Sequence, residues 1–171
     1  MTITSWIRPK HLTNEQERAT PYADRAWLAR SETLGTTAED AFVRWANPRI
    51  TQRVGWDNSP LPREAFFSLP PEIKHLPDYL LWDPDDGLSW VECIGTGNNT
   101  GFKVRKSKLV AQAWYALTVP LIYFVYHSPS DSYTTMTWEE VRSGAVTPLT
   151  FKSDGNTYYF VEVDGWLKLK R

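Results

Sequence analysis

A nearly unbroken apolar run, Leu-Ile-Tyr-Phe-Val-Tyr at residues 121–126, most constrains the fold of this chain. A strand that is apolar on both faces is typical of a sheet that is covered on two sides. The run follows a predicted hairpin and a predicted helix, and this order implies a crossover that returns the chain parallel to its neighbour. The sequence therefore predicts an α/β (α+β) fold with a mixed central sheet.

The predicted hairpin and helix precede this strand. Residues 78–82 and 88–94 form the two strands of the hairpin, and Asp-Pro-Asp-Asp-Gly at residues 83–87 has the chemistry of a turn. Residues 95–101 are predicted to form a loop, and residues 107–118 a helix. The helix residues expected to face the core are Leu109, Val110, Ala113, Trp114 and Leu117.

The whole chain is predicted to form a single domain, because 171 residues suffice for one hydrophobic core. Residues 1–35 are predicted to form an N-terminal helical arm, residues 36–127 the core, and residues 128–171 a C-terminal extension. The extension is expected to contain a short helix capped by Thr137. A closing β-hairpin that turns at residues 153–156 is expected to follow.

Another helix is predicted ahead of the first hairpin. It begins near Thr37 and ends before Pro48. The proline-rich stretch at residues 55–77 is then expected to be a loop with one helical turn at residues 63–67.

The composition narrows the class of protein. A net charge of −1 argues against a protein that packs nucleic acid constitutively. The single cysteine, Cys93, fits a reducing compartment. Residues 1–10 lack an apolar signal segment, and no run approaches the roughly 18 apolar residues of a membrane span. We therefore expect a cytoplasmic protein with no membrane partner, and its compact size favours a phage-like or mobile-element origin.

Two acids, Asp78 and Glu92, are expected to face each other across the hairpin. Each is seven residues from Asp85 at the centre of the turn. A carboxylate among strand residues is costly to bury unless it is paired or binds a metal. A divalent cation relieves the repulsion between two acids, and oxygen-only ligands favour Mg²⁺ or Mn²⁺. Glu39, on the preceding helix, is the third candidate ligand.

These residues resemble the core of the PD-(D/E)xK nuclease superfamily, with its restriction-endonuclease-like and RecB-like members. The resemblance rests on Pro77-Asp78, thirteen further residues, Glu92 in an apolar strand, and then a helix and a strand. A helical acid such as Glu39 also precedes the hairpin in that superfamily. The segment Gln112-Ala-Trp-Tyr115 is loosely similar to the glutamine-and-tyrosine helix motif of the RecB-like members.

The resemblance covers residues 36–127 and implies both a fold and an activity. The implied fold is an αβββαβ-type core. The implied activity is Mg²⁺-dependent hydrolysis of DNA phosphodiester bonds, with Mn²⁺ able to substitute, as an endonuclease or exonuclease that is structure-selective in one version. Because duplex-cutting members often pair, the resemblance also leaves open a homodimer.

One position departs from the family pattern. The family has a lysine two residues after the strand acid, where this chain has Ile94. Some members take the lysine from the next helix, so Lys108 is the first choice here, Lys103 the second and Lys106 the third. In the implied mechanism Asp78, Glu92 and Glu39 hold the metal, and the lysine positions the attacking water. The residues expected to contact DNA are Arg44, Arg49, Arg53, Arg105, Lys106 and Gln112.

Simpler interpretations of the same residues remain open. Asp78 fits a residue that caps the start of a strand, and Glu92 fits an edge-strand acid that faces solvent or a lysine. Glu39 fits an acid favoured by the helix dipole, and Gln112 fits a surface glutamine.

Two further classes of protein also fit the sequence. The first is a catalytically degenerate relative that binds nucleic acid or a protein partner without cutting, and Ile94 favours it. The second is an unrelated α+β structural or assembly protein.

Overall fold

The computed structural model describes residues 36–55, 68–146, 148–150 and 155–169. The predicted helical arm at residues 1–35 and the predicted turn at residues 63–67 lie outside these ranges. The helices are α1 (Thr36–Ala46), α2 (Pro71–Lys74), α3 (Lys106–Ala116) and α4 (Trp138–Gly144), with a 3₁₀ turn at Ser128–Ser130. The strands are β1 (Ile50–Arg53), β2 (Tyr79–Asp83), β3 (Gly87–Thr96), β4 (Gly101–Arg105), β5 (Leu121–His127), β6 (Ser132–Thr137), β7 (Pro148–Thr150), β8 (Thr157–Glu162) and β9 (Leu167–Lys168).

Six of these strands form the central sheet, in the order β1-β2-β3-β5-β6-β9. Strands β3 and β5 run parallel, and the other pairs are antiparallel. Helix α3 lies between β3 and β5 in the chain, as a parallel crossover requires. The predicted α/β class and the mixed central sheet are therefore confirmed.

The first hairpin has the predicted register. Tyr79 is opposite Val91 and Asp83 is opposite Gly87. The same register carries Asp78, one residue before β2, to the position opposite Glu92. The turn at residues 84–86 is the local feature that sets this pairing.

A second sheet of three strands, in the order β4-β8-β7, is absent from the sequence prediction. The predicted loop at residues 95–101 is shorter than expected, because β3 continues to Thr96 and β4 begins at Gly101. Gly101 permits the close approach of β4 and β8, since an added Cβ there would lie 2.1 Å from the carbonyl oxygen of Val161. The predicted C-terminal hairpin is confirmed by the antiparallel pair β7–β8, while residues 151–154 of its turn lie outside the described ranges.

Two apolar clusters cover the two faces of the central sheet. One joins α1 to the sheet through Ala38, Ala41, Phe42, Ala46, Tyr79, Leu81, Val91, Cys93, Phe124, Tyr126 and Leu169. The other joins α3, α4 and the small sheet through Phe102, Val104, Leu109, Leu121, Tyr123, Val125, Val141 and Val161. Strand β5 contributes to both clusters, as its apolar sequence predicts.

The predicted inner face of α3 is confirmed only in part. Leu109 is buried as predicted, but Val110, Trp114 and Leu117 are 64%, 66% and 82% exposed. Ala111 and Gln112 are the other buried residues of the helix. This orientation of the helix places Gln112 against Glu92 on β3, where it donates a hydrogen bond to the buried carboxylate. The helix therefore leaves three apolar side chains exposed and pairs the buried charge of Glu92, because an unpaired buried charge is costly.

The four helices within the described ranges are short. Helix α4 begins with the predicted capping box, in which Thr137 and Glu140 exchange hydrogen bonds. Helices α1 and α3 have 11 residues each. Within the described ranges, none of the helices combines the length and the apolar character of a membrane span.

Candidate active site

Glu92 is the centre of a buried polar cluster between β3 and α3. Its side chain is 0% exposed. The Lys108 ammonium forms an ion pair with Oε1, and Gln112 donates from Nε2 to Oε2 at 2.5 Å. Lys108 and Gln112 are four residues apart on α3, so they lie on one face of the helix. Both oxygens of the buried carboxylate therefore accept from nitrogen donors.

Asp78 is fixed at the junction of three strands. Its carbonyl oxygen accepts from the backbone nitrogens of Val54 at 2.9 Å and Gly55 at 3.0 Å. Its Oδ2 accepts from the backbone nitrogen of Cys93 at 2.8 Å. These bonds hold the Asp78 carboxylate beside the residue that follows Glu92, and they also fit a residue that caps a strand start.

The electrostatics show that the two acids and the lysine form one group. Burial, and then the Asp78 charge, raise the pKa of Glu92, while Lys108 and Gln112 oppose the shift. Burial lowers the pKa of Lys108, but the Glu92 and Asp78 charges outweigh it, so that pKa is raised. We assign the proton to Lys108, because both oxygens of Glu92 face donors and a charged carboxylate accepts from both.

Glu39 does not join this group. Its carboxylate pairs with Arg53 at 2.9 Å, and α1 packs on the sheet face opposite α3. Across the described ranges, no set of three or more His, Cys, Asp or Glu side chains has the arrangement of a metal site. The converging groups are thus the Asp78 and Glu92 carboxylates with the Lys108 ammonium.

The three candidate lysines have different positions. Lys108 contacts Glu92, and its side chain is 29% exposed. Lys103 on β4 and Lys106 at the start of α3 both have exposed side chains. The position of Lys108 in the first turn of α3 explains its reach to β3.

The predicted DNA-contact residues lie in different parts of the fold, and within the described ranges Gln112 is the one that bonds to Glu92. Four arginines have partners of their own: Arg44 with Asp131, Arg49 with Asp83, Arg53 with Glu39, and Arg105 with the Tyr158 hydroxyl. Asp83 lies at the opposite end of β2 from Asp78, so Arg49 is remote from the acid pair. Gln112 is fully buried, so its alternative place on the surface is wrong, while its predicted contact with DNA stays a prediction.

His75 is a candidate site residue that the sequence prediction missed. Burial, followed by the charges of Lys108, Arg105 and Lys74, lowers its pKa to about 4. The positive charges of Lys108, Arg105 and Lys74 thus act on an imidazole that stays neutral at pH 7. The spacing of the histidines holds no signal for this position, because α2 meets α3 only in the tertiary structure.

The lowered pKa of His75 predicts a pH-dependent stability. Its ordinary value of 6.5 applies to the unfolded chain, which binds the proton more strongly than the folded chain with a pKa of about 4. Wild type should lose stability as the pH falls from 6.5 to 4. The full shift corresponds to about 3 kcal/mol, and solvent screening of the partly exposed imidazole should reduce the loss to about 1–2 kcal/mol. We expect His75→Gln to be more stable than wild type at pH 4 by a similar amount, and nearly equal at pH 7.5. Urea unfolding at both pH values tests this, and an unchanged difference between them contradicts it.

Gly55 is required for the position of Asp78. An added Cβ would lie 2.7 Å from the Asp78 Cα, which is backbone and cannot turn aside. Gly55→Ala should therefore destabilise the fold by about 1–3 kcal/mol and displace the Asp78 carboxylate. Gly97→Ala is the matched control, since an added Cβ there meets none of the described atoms within 4 Å. Equal melting temperatures for the two variants would contradict this account.

Comparison of the chain with protein-family models, with curated proteins and with solved structures finds no match in any of the three.

Proposed function

We propose that this protein hydrolyses DNA phosphodiester bonds with the help of Mg²⁺, as a deoxyribonuclease of the PD-(D/E)xK kind in which Mn²⁺ can substitute. The observation that carries the proposal is the convergence of Asp78, Glu92 and Lys108. The Glu92 carboxylate contacts the Lys108 ammonium from the following helix, and the charge of Asp78 on the adjoining strand acts on both groups. This set of groups also supports the resemblance stated from the sequence.

The donor set fits a hard divalent cation. Carboxylate oxygens are the ligands that Mg²⁺ prefers, with waters completing its shell. Asp78 and Glu92 repel each other, and Lys108 neutralises one of the two negative charges. One formal negative charge remains at the site, which favours the binding of a cation. When bound, the metal lowers the pKa of a water and stabilises charge on the phosphate.

The side chains of the site have distinct roles in this proposal. Asp78 and Glu92 bind the cation, and Gln112 holds the Glu92 carboxylate in place. Lys108 stays protonated because its pKa is raised, and in this proposal its side chain, which is 29% exposed, turns the ammonium toward the substrate. There it stabilises the negative charge that develops on the phosphate. Glu39 forms an ion pair with Arg53 on the opposite face of the sheet and lies outside this set.

In this proposal the DNA backbone lies along the basic side chains whose charges act on His75. Lys74 and Arg105 are among the charges that lower the pKa of His75, next to Lys108. Together with Lys106 they are the proposed phosphate contacts, which position DNA without reading its sequence. The Arg44, Arg49 and Arg53 side chains contact DNA in this proposal only if they exchange acidic partners for phosphates.

The proposal includes a cellular setting and an oligomeric state. We place the activity in the cytoplasm, where the thiol of Cys93 stays reduced.

A homodimer would let two sites reach both strands of a duplex. Analytical ultracentrifugation of the full chain with and without duplex DNA measures the mass directly, and a monomer in both cases would remove the dimer from the proposal.

Cleavage assays test the activity itself. Supercoiled plasmid, linear duplex, single-stranded DNA and a four-way junction are each incubated with the protein in Mg²⁺, Mn²⁺ or EDTA. We expect cleavage of at least one substrate in either metal and none in EDTA. Cleavage that persists in EDTA, or no cleavage of any substrate, would contradict the proposal.

One observation favours a second function, in which the protein binds nucleic acid or a protein partner without cutting. Both oxygens of Glu92 already face nitrogen donors, so the buried charge is paired without a metal. Ile94 also stands where the family has its lysine. DNA binding that weakens steeply with salt, with neither cleavage nor cation binding, would support this function over the first.

A further inference from the structure

Tyr123 links the central strand to the acid pair. It is the register partner of Glu92 in the parallel pair β3–β5, so both side chains project to the same face. The fully buried Tyr123 hydroxyl donates to Oε1 of Gln112 at 2.5 Å. Gln112 donates in turn from Nε2 to Oε2 of Glu92 at 2.5 Å. Three buried side chains thus form one chain of hydrogen bonds.

The direction of these two hydrogen bonds follows from the donor and acceptor atoms of the Gln112 carboxamide. A carboxamide donates only through its nitrogen and accepts only through its oxygen. With the Tyr123 hydroxyl at Oε1, the Gln112 nitrogen must face Glu92. If the carboxamide turned over, two oxygens would face each other and the Tyr123 proton would lose its acceptor. Both losses are costly in a buried site.

We propose that Tyr123 is a positioning residue that acts through Gln112 on Glu92. By fixing the direction of the carboxamide, it keeps Oε2 of Glu92 hydrogen-bonded and leaves Oε1, the oxygen that contacts Lys108, as the one available to a cation. This inference rests on the proposed function, because it gives the hydrogen bonds from Tyr123 through Gln112 to Glu92 a role in cation binding. It adds a residue on β5 to a site otherwise formed by β2, β3 and α3.

The donor role of Tyr123 is constant across the pH range of an assay. Burial, and then the Glu92 charge, raise the pKa of Tyr123 well above its ordinary value. The hydroxyl therefore keeps its proton, and the hydrogen-bond direction does not depend on its titration.

Removal of the hydroxyl tests the proposal, with a matched control on the same strand. Tyr126 is also buried on β5, but it lies on the α1 face and donates to Asp131 at 2.7 Å. We expect Tyr123→Phe to weaken the Kd for Mn²⁺ about tenfold or more at fixed pH, as loss of a ligand-orienting group typically does. Tyr126→Phe should change the Kd less than about twofold. Isothermal titration of the full chain with Mn²⁺ alone measures both, and thermal unfolding shows whether the two variants lose similar stability.

A double variant tests whether Tyr123 acts through Gln112. In the Gln112→Met background, Tyr123→Phe should cause no further loss of Mn²⁺ affinity, because the link to Glu92 is already broken. The DNA cleavage rate of Tyr123→Phe should also recover at raised Mn²⁺ concentration. A role limited to packing would give additive losses and no such recovery.

The outcomes separate this inference from the proposed function. If wild type binds Mn²⁺ and Tyr123→Phe binds it equally well, the positioning role is wrong and the proposed function stands. Additive losses in the double variant likewise overturn the positioning role. If wild type binds no divalent cation and cuts no DNA, the proposed function fails and this inference fails with it.

Discussion

Replacement of Asp78 by Asn or of Glu92 by Gln is expected to lower metal-dependent DNA cleavage by about 1,000-fold or more. Each change removes one of the two carboxylates that hold the cation, and a loss of about 4 kcal/mol of transition-state stabilisation corresponds to that factor. Both replacements keep the size of the side chain, so the hairpin register should persist. Cleavage rates at saturating Mg²⁺, together with circular dichroism of each variant, measure the effect.

The two variants should differ in stability, which makes them controls for each other. Asp78→Asn removes a charge that repels Glu92, so we expect the metal-free protein to become more stable by about 1 kcal/mol. Glu92→Gln leaves the Lys108 ammonium without its carboxylate. The partial exposure of Lys108 limits that cost to about 2 kcal/mol, below that of a fully buried pair.

The ion pair of Glu92 is the cause of this difference between the two variants. On the carboxylates alone, both replacements are predicted to raise stability by relieving their repulsion. The ion pair of Glu92 with Lys108 reverses the sign for Glu92. A Glu92→Gln variant that is more stable than wild type would show that the pair adds nothing. Full cleavage activity in either variant would contradict the proposed site.

Replacement of Lys108 by Met is expected to lower kcat for DNA cleavage about 100- to 1,000-fold without weakening cation binding. The ammonium is the group placed to stabilise charge on the phosphate, and loss of such a donor has effects of this size. Cation affinity should hold or rise, because Lys108 no longer competes for Oε1 of Glu92. Titration with Mn²⁺ and steady-state cleavage assays separate the two quantities.

Lys103→Met is the matched control for this prediction. Lys103 lies on β4 with an exposed side chain, while its neighbours Phe102 and Val104 face the core. We expect Lys103→Met to retain cleavage within about threefold of wild type, since it removes an exposed charge. If Lys103→Met loses activity and Lys108→Met does not, the lysine of the site is Lys103.

The sequence by itself determined the features that depend on neighbouring residues. The turn at residues 83–87 sets the hairpin register, and that register alone brings Asp78 opposite Glu92. The apolar run of β5 requires cover on both faces, and the helix before it makes the return parallel. The capping box of α4 is equally local, because Thr137 and Glu140 bond only to each other. The acid pair follows from these local features, whereas the choice of Lys108 came from the family resemblance, in which the next helix can supply the lysine.

Only the tertiary structure decided which face of α3 turns inward. The apolar stripe at Val110, Trp114 and Leu117 has helical spacing, yet it lies exposed. The inward face holds Lys108 and Gln112 instead, because burial of Glu92 without donors would cost more than exposure of three apolar side chains. Sequence periodicity records which residues share a face of a helix, but not the buried charge that the helix must meet.

The same limit applies to the rest of the site. The second sheet, the approach of His75 to Lys108, and the bond from Tyr123 to Gln112 join residues far apart in the chain. Glu39, a candidate ligand from its position on the preceding helix and from the resemblance, pairs with Arg53 on the other face of the sheet. Local patterns thus determined the strands, their register and the two acids. The packing of α1, α2 and α3 against the sheet determined which side chains surround those acids, since contact between distant residues depends on all the elements together.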